Sequence, residues 1–312
     1  MTVEFSKKDL GASNRRAPFM TESFPSVVRS LAEAGVATVE VGYRSPFGSV
    51  RTKVRAGELL AGRVDSLGIG FTDIGRNASL QGDPIVLRVG MGKAKRTVPL
   101  PDDERVPRLR AEMQEINAWL AQAPITWEGD GDVDTGRRFL ARIFSRGRLE
   151  LGGRLYFGFW QDFNSEVRLA HLRIAGKPVA SLDFAQMAVR LAYAKVGATP
   201  LPGDLYAHPR FPREGVKMML TAMLAASTPF KRMPDGGRKY FRHRISVGEV
   251  VSELAAQHPA LVPLFFGDHS LEFMNLESQI VVRALLSLKE RGVIALPVHD
   301  CLNVSVDDVQ VA

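Results

Sequence analysis

The hydrophobic pattern of the chain changes sharply around Asp183. Residues 179–182 form a short apolar run, and an alanine-rich amphipathic segment follows Asp183 and stops near Gly197. A short apolar run followed by apolar residues at helical spacing predicts a strand and then a helix. The sequence therefore predicts an acidic side chain at the end of a strand, where a rigid element can present it to a metal or a substrate.

A second strand that ends in an acid is predicted near the C-terminus. Apolar residues recur at helical spacing over residues 271–291, and Gly292 has the position of a helix C-cap. The apolar run that follows leads into His299 and Asp300, and another apolar run resumes after them, which predicts a β-hairpin with these two residues at its tip. Two carboxylates at strand ends suit a two-metal phosphoryl-transfer site, although Asp is also a common turn residue.

A third informative segment, residues 213–227, predicts a helix with one cationic face. Arg213, Lys217 and Thr221 stand at positions i, i+4 and i+8, so they share that face. Two cations one turn apart repel each other and weaken an isolated helix. Their placement makes sense if an anion binds over them.

The segment before Asp183 predicts a helix and then an aromatic strand. Residues 137–144 predict the helix, and residues 155–160, in which apolar and aromatic side chains occupy both faces, predict a buried or ligand-covered strand. Gly152 and Gly153 permit close approach of another group to the backbone, directly beside Arg154.

The first 130 residues predict smaller modules. Residues 1–20 predict a flexible basic arm, and residues 21–130 predict an N-terminal α/β accessory module. Within that module a helix ends at Gly35, a strand follows over residues 36–41, and a basic loop leads into another helix. This order suits a winged-helix module that binds nucleic-acid phosphates, and a solvent-exposed loop explains the same pattern. The basic residues of the loop are Arg44, Arg51, Lys53 and Arg55.

The accessory module is predicted to end in a helix, and a linker leads from it into a core domain over residues 131–312. The helix covers residues 102–123, and the linker is the Gly- and Asp-rich stretch 126–136. The alternating acids of this stretch look like a calcium loop, but no Glu stands at the closing position. The predicted buried stripe of the helix is Leu109, Met113, Ile116 and Leu120.

Composition narrows the functional classes. The chain has 312 residues, a net charge of +7 and one cysteine, Cys301. A basic excess favours a polyanionic partner, and one cysteine excludes an internal disulfide framework and a cysteine-rich zinc site. No apolar run reaches the roughly 20 residues that span a bilayer, and the N-terminus lacks the apolar core of a signal peptide. We therefore expect a soluble cytoplasmic protein with no membrane partner.

Three of these segments together resemble the palm-and-fingers core of the family A DNA polymerases and the related single-subunit phage-type RNA polymerases. The segment LDFAQMAVR is similar to polymerase motif A, with Asp183, Gln186 and Arg190 at matching positions. The cation pair of the third segment is similar to motif B of the fingers helix, and the Val-His-Asp that ends at Asp300 matches motif C. The Gly-Arg-Leu-Tyr run at Arg154 looks like the Gly-Arg-Val-Tyr of phage RNA polymerases.

The resemblance implies an α+β fold with a polymerase-like palm, built on an antiparallel sheet, and helical fingers. It implies a template-directed, DNA-polymerase-like nucleotidyltransferase whose partners are a nucleic acid primer–template and nucleoside triphosphates. Asp183 and Asp300 would bind two Mg²⁺ ions, or Mn²⁺, and Lys217 would neutralise charge on the triphosphate. The other implied substrate contacts come from Arg213, Thr221, Gln186, Ala188, Arg190, Arg154, Gln161 and His299, of which Arg154 and Gln161 would face the primer–template and His299 the primer terminus.

The chain departs from the family pattern in three places. Ala188 stands where family A has a Glu that packs near the position of a ribose 2′-hydroxyl, so the resemblance implies weak sugar discrimination. Thr221 and Ala225 replace the aromatic residues of motif B, and Cys301 replaces the acid after motif C. Three alternatives stay open: an RNA polymerase or primase, a catalytically degenerate nucleic-acid-binding protein of a plasmid or phage, and an unrelated α/β fold in which both acids are turn residues.

Overall fold

In a computed structural model, the chain forms two compact units. The smaller unit comprises Met1–Asn77 and Asp130–Gly136, and the larger unit comprises Ala78–Gly129 and Arg137–Ala312. The residues that the structure describes are 2–5, 23–41, 44–45, 48–49, 52–68, 82–129, 133–242 and 244–312.

The smaller unit combines short strands with two helices in its described part: β1 (Thr2–Phe5), α1 (Ser23–Glu33), β2 (Ala37–Glu40), β3 (Arg44–Ser45), β4 (Gly48–Ser49), β5 (Thr52–Ala56) and α2 (Glu58–Ser66). An antiparallel sheet has the order β1-β5-β2, and β3 pairs with β4. Gly35 follows α1 with a φ of +70°, which confirms the predicted helix end. Residues 6–20 of the predicted arm, Arg51, and the side chains of Arg44 and Lys53 lie outside the described residues.

The larger unit contains two sheets packed with helices. Its strands are β6 (Ile85–Val89), β7 (Arg96–Val98), β8 (Ile125–Trp127), β9 (Ala141–Ser145), β10 (Arg148–Tyr156), β11 (Leu172–Ile174), β12 (Lys177–Asp183), β13 (Ala295–Val298) and β14 (Cys301–Ser305). Its helices are α3 (Arg105–Gln122), α4 (Ser165–His171), α5 (Met187–Lys195), α6 (Arg213–Ala225), α7 (Val247–Gln257) and α8 (Ser270–Glu290).

One sheet of the larger unit is mixed and the other is antiparallel. The mixed sheet has the order β10-β9-β6-β7, with β6 and β9 parallel. The second sheet has the order β13-β14-β12-β11-β8 and is antiparallel throughout. These sheets and helices confirm the predicted α+β class. The predicted stripe of α3 is buried as expected, at Leu109, Met113, Ile116 and Leu120.

The predicted helix over residues 137–144 is wrong. The chain is extended there and enters β9 at Ala141. Every side chain from Leu140 to Phe144 is buried, because β9 lies between β6 and β10 in the mixed sheet. A strand buried on both faces lacks the alternation that distinguishes it from a helix, so sheet pairing decides where local pattern does not.

The predicted strand over residues 155–160 ends earlier than expected. β10 stops at Tyr156, and Phe157 has a φ of +88°, which turns the chain out of the sheet. A 3₁₀ turn, Phe159–Asp162, follows and buries Phe159 and Trp160 completely. Nε1 of Trp160 donates a hydrogen bond of 3.0 Å to the carbonyl of Pro297, so these aromatics anchor the C-terminal hairpin.

The boundary between the two units falls at Asn77, whereas the sequence analysis divided the chain at residue 130. Residues 82–129 supply strands to both sheets of the larger unit, because β6 pairs with β9 and β8 pairs with β11. Such pairing joins distant parts of the chain and leaves no mark in local composition. Of the predicted linker acids, Asp130 and Asp132 lie outside the described residues.

A buried histidine stabilises the helical part of the larger unit. His258 follows α7 and is completely buried. Its Nε2 lies 3.1 Å from the carbonyl of Leu205, to which it must donate, and the Tyr193 hydroxyl donates to Nδ1 over 2.8 Å. Burial lowers the pKa of His258, the Leu205 hydrogen bond opposes that shift, and the nearby His208 adds to it. Folding therefore favours the neutral form of the ring.

The free energy of unfolding should fall as the pH is lowered below about 6.5, the ordinary pKa of histidine. Below that pH the unfolded chain binds a proton on His258 that the folded chain does not bind. Each such histidine contributes at most about 1.4 kcal/mol per pH unit to the slope of the free energy of unfolding against pH. In a His258→Leu variant, urea unfolding at several pH values should give a shallower slope, with a remainder from His208 and His299, whose pKa values burial also lowers. An unchanged slope in the variant would contradict this assignment.

Candidate active site

Asp183 and Asp300 lie together at one end of the antiparallel sheet. Asp183 is the last residue of β12 and stands opposite Cys301 in the β12–β14 register. Asp300 directly precedes Cys301, in the turn that joins β13 to β14. The backbone N–H of Phe184 donates to the carbonyl of Asp300 over 3.3 Å, so the two acids belong to adjacent, hydrogen-bonded chain segments. The predicted strand end and the predicted hairpin tip are both confirmed.

The charges around Asp183 show that the two acids and one lysine act on each other. Burial raises the pKa of Asp183, and the negative charge of Asp300 raises it further. The positive charge of Lys217 and a hydrogen bond from the backbone N–H of Phe184 oppose the rise. A pair of like charges that raises a pKa in this way is the environment in which a divalent cation binds favourably.

The predicted cationic face lies on α6. Arg213 is the first residue of this helix, and Lys217 and Thr221 follow at one-turn intervals, all three exposed. Arg213 is already paired: its Nε donates to Asp204 over 2.6 Å and its Nη1 donates to Glu214 over 3.2 Å. Of the two predicted cations, Lys217 is therefore the one whose charge is directed to Asp183.

The three other motif A residues lie at the start of α5. Gln186 adopts the left-handed conformation, with a φ of +61°, and its side chain holds the loop after α5. Its Nε2 donates to Asp204 over 2.8 Å, and its Oε1 accepts from the backbone N–H of Leu205 over 3.2 Å. Ala188 is half-buried, and the exposed Arg190 donates from Nε to the carbonyl of Ala185 over 3.2 Å. A direct substrate contact by Gln186 would require these bonds to break.

Arg154 is held by a glutamate that the sequence analysis did not identify. Glu277 on α8 accepts two hydrogen bonds from Arg154, 2.6 Å from Nε and 2.9 Å from Nη2. The Glu277 side chain is 9% exposed and that of Arg154 is 23% exposed. Burial raises the pKa of Glu277, Arg154 opposes this shift, and the charges of Asp300 and Asp183 add to it. The ion pair therefore lies within the field of the two acids.

Gln161 and His299 flank the hairpin tip. Gln161 donates from Nε2 to the carbonyls of Leu155 and Pro297, over 3.0 and 2.9 Å, so its amide supports the hairpin. His299 is exposed, with a φ of +58°, and its ring lies 6.0 Å from that of Tyr156. Burial and the charge of Arg154 lower the pKa of His299, and Asp300 opposes the shift. Of these two predicted contacts, the exposed His299 remains accessible to a substrate.

Three residues of the site were missed: Glu277, Asp204 and Tyr206. The sequence does contain a signal for Glu277, which stands four residues after Phe273 and four residues before Val281. A charged residue on an apolar stripe of a helix is unusual. Tyr206 is buried, and besides burial, the charges of Asp300 and Asp183 raise its pKa, while Arg213 lowers it. Asp204 and Tyr206 lie in a Pro-rich loop, where no periodic pattern marks the residues that turn inward.

The pair of acids suits a hard divalent cation that arrives with a phosphate-bearing substrate. Among the described residues, no group of three or more His, Cys, Asp or Glu side chains is placed to hold a metal. Mg²⁺ is commonly bound through one or two carboxylates plus substrate phosphates, without an all-protein cage. Cys301 is not a suitable ligand, because burial raises the pKa of its thiol, which lies 2.8 Å from Oγ of Ser181. Asp183 and Asp300 therefore provide the two carboxylates through which Mg²⁺ or Mn²⁺ is commonly bound together with substrate phosphates.

No protein-family model, curated protein sequence or solved structure matches the chain. In the part of the chain that the structure describes, no helix is long and apolar enough to cross a membrane. The arrangement of the residues around Asp183 and Asp300 is therefore the basis on which a function can be proposed.

Proposed function

We propose that the chain is a template-directed nucleotidyltransferase that uses divalent cations and extends a nucleic acid primer from nucleoside triphosphates. The observation that carries the proposal is the meeting of Asp183 and Asp300 at one sheet edge, within the field of Lys217 on α6. Two acids and a cation of this kind match the needs of phosphoryl transfer, which depends on positioning and on neutralisation of charge.

The fold supports a polymerase-like assignment of the parts. The antiparallel strands β12, β13 and β14 would serve as the palm that carries both acids. Helices α5, α6 and α7, which share one hydrophobic core, would serve as the fingers that carry Lys217. This assignment covers most of the predicted core domain, residues 131–312.

Each side chain has a definite task in this reaction. Asp183 and Asp300 would hold two Mg²⁺ ions, which activate the attacking 3′-hydroxyl and stabilise the leaving pyrophosphate when bound. Lys217 would pair with the triphosphate, and Arg213 would join it by exchanging Asp204 for a phosphate oxygen, since arginine binds either group in the same geometry. The exposed His299 would lie beside the primer terminus. Arg154, paired with Glu277, would support the hairpin from behind.

Primer extension tests the proposal. Full-length chain would be incubated with a primed template, nucleoside triphosphates and Mg²⁺ or Mn²⁺, and with EDTA as the control. Extension that requires both the metal and the template is the expected result, and absence of any incorporation under all these conditions would reject it. Omitting the primer separates the RNA polymerase or primase alternative, because those enzymes start new chains.

Discrimination between ribonucleotides and deoxyribonucleotides should be weak. Ala188 is half-buried near the start of α5, five residues after Asp183, and its methyl group leaves room for a ribose 2′-hydroxyl. Incorporation of the two sugars on one primed template should differ by far less than about a thousandfold, which is about 4 kcal/mol of transition-state energy. An Ala188→Glu variant should disfavour ribonucleotides relative to the parent chain. A thousandfold preference for deoxyribonucleotides in the parent would contradict the interpretation of Ala188.

A second candidate is a nucleic-acid-binding protein without chemistry. The observation that favours it is the engagement of three expected substrate residues by protein partners: Arg213 with Asp204, Arg154 with Glu277, and Gln186 with Asp204. This candidate predicts binding that weakens steeply with salt, with no metal-dependent incorporation. The extension assay with the same preparation distinguishes the two functions.

A further inference from the structure

A polar cavity lies on the far side of α8 from the two acids. Its volume is about 210 Å³, and its walls come from α3, β9, β10 and α8. On α8 the lining residues Asn275, Gln279, Val282 and Arg283 stand at positions i, i+4, i+7 and i+8, so they form one face of the helix. Glu277, which faces Arg154, lies on the opposite side. The cavity is therefore separate from the candidate active site.

The deepest charge of the cavity is Arg142 on β9, which is 1% exposed. Its guanidinium is fixed from two sides, because Nε donates to the carbonyl of Gly153 and Nη2 donates to Oγ of Ser278, both over 3.1 Å. Nη1 has no hydrogen-bond partner among the described residues. The nearest carboxylate oxygen, on Glu112, lies 3.6 Å from Nη1, beyond hydrogen-bond distance. A buried cation is thus oriented rigidly, with donors left over.

Positive charge exceeds negative charge around the cavity. Four arginines line it, Arg105, Arg108, Arg142 and Arg283, against two glutamates. Arg105 is satisfied by Asp103 and Glu150. Arg108 and Arg142 share the carboxylate of Glu112, at 3.9 and 3.6 Å. Arg283 makes no ion pair in the part of the chain that the structure describes.

The pKa of the buried arginine also reflects this excess of positive charge. Burial lowers the pKa of Arg142 to about 10, Glu112 opposes the shift, and the like charge of Arg108 adds to it. Glu112 forms ion pairs with both arginines, but at distances beyond a hydrogen bond. A phosphate anion would balance the remaining excess of positive charge and offer Nη1 an acceptor within hydrogen-bond distance.

The volume of the cavity limits the size of the ligand that it can bind. Pockets for drug-sized molecules have volumes of roughly 300–1,000 Å³, so this cavity suits something smaller, yet it far exceeds the space needed for one water. Guanidinium groups match phosphate oxygens with paired hydrogen bonds. We propose that this cavity binds a small free phosphate anion, inorganic phosphate or pyrophosphate, with Arg142 as the buried anchor and Arg108 and Arg283 at the rim.

Calorimetric titration of the full chain with inorganic phosphate and with pyrophosphate tests the proposal. EDTA keeps divalent cations away from Asp183 and Asp300, and chloride at equal ionic strength controls for screening. Because Arg142 also ties β9 to β10 and α8, its replacement would test folding as much as binding. The exposed rim residues therefore carry the test, in the double variant Arg108→Gln/Arg283→Gln.

The parent chain should bind one anion saturably. The rim variant should bind at least about tenfold more weakly, as expected for the loss of hydrogen bonds to a charged group. The matched control Lys231→Gln/Arg232→Gln removes the same charge from exposed positions elsewhere and should leave the affinity unchanged.

Two results would overturn the proposal. The first is the absence of saturable binding by either anion, or an equal affinity in the parent and the rim variant. The second is an oligonucleotide whose affinity falls in the rim variant while neither free anion binds. That result would assign the cavity to backbone phosphates of a nucleic acid.

Discussion

Replacing Asp183 or Asp300 with alanine should reduce primer extension by at least about 10²–10³-fold, the loss seen when one preorganised electrostatic group is removed from an active site. In the proposed reaction each carboxylate is a required ligand, because no larger group of metal-binding side chains is found among the described residues. The double variant should be no less active than either single variant, since both losses disable the same unit. Retained extension in the double variant would reject the proposed role of these acids.

The same variants should remain folded. Burial and the charge of Asp300 raise the pKa of Asp183, so its charged form is unfavourable in the folded chain without a cation. Removing one carboxylate relieves that repulsion, and thermal unfolding should show a stability within about 1 kcal/mol of the parent or above it. If both acids are only turn residues, stability should fall instead. Asp307→Ala, in the 3₁₀ turn directly after β14, is a matched control, because the ion pair of Asp307 with Lys177 is exposed and worth little.

Replacing Glu277 with alanine should destabilise the larger unit by about 3–5 kcal/mol, because it leaves the charge of Arg154 largely buried without a partner. The two side chains make a bidentate pair across 123 residues of chain, at 9% and 23% exposure. Denaturant unfolding measures the loss. Extension should also weaken, since the Arg154–Glu277 pair lies within the field of Asp183 and Asp300.

Two comparisons make the Glu277 result specific. The double variant Arg154→Met/Glu277→Leu should recover part of the lost stability, because replacing both charges removes the uncompensated one. Glu272→Ala, which breaks more exposed contacts with Lys195 and His269, should cost about 1 kcal/mol or less. A loss below about 1 kcal/mol in Glu277→Ala would contradict the buried-pair interpretation.

The sequence predicted the two segments that carry the acids because their signals are local. A short apolar run before a helical period marks β12 and α5 around Asp183, and two apolar runs separated by His-Asp mark the hairpin. The cationic face of α6 follows equally from helical spacing. The structure contains each of these elements at the predicted place in the chain.

The remaining parts of the site depend on contacts between distant segments. Arg154 and Glu277 meet only because β10 packs against α8, and Arg213 is drawn to Asp204 by a loop without periodic pattern. β9 was mistaken for a helix because both of its faces are buried. The unit boundary at Asn77 was missed for a related reason, since β6 and β8 reach partners far along the chain.

The central claim is that Asp183 and Asp300 together bind divalent cations for phosphoryl transfer. Electron paramagnetic resonance of Mn²⁺, titrated into the full chain with a non-hydrolysable nucleoside triphosphate, tests it directly. The parent chain with the nucleotide should hold two ions in total, counting the one that the nucleotide brings, and Asp183→Asn and Asp300→Asn should each lose this binding while the Asp307→Ala control keeps it. Equal Mn²⁺ binding by the parent and both asparagine variants would contradict the claim.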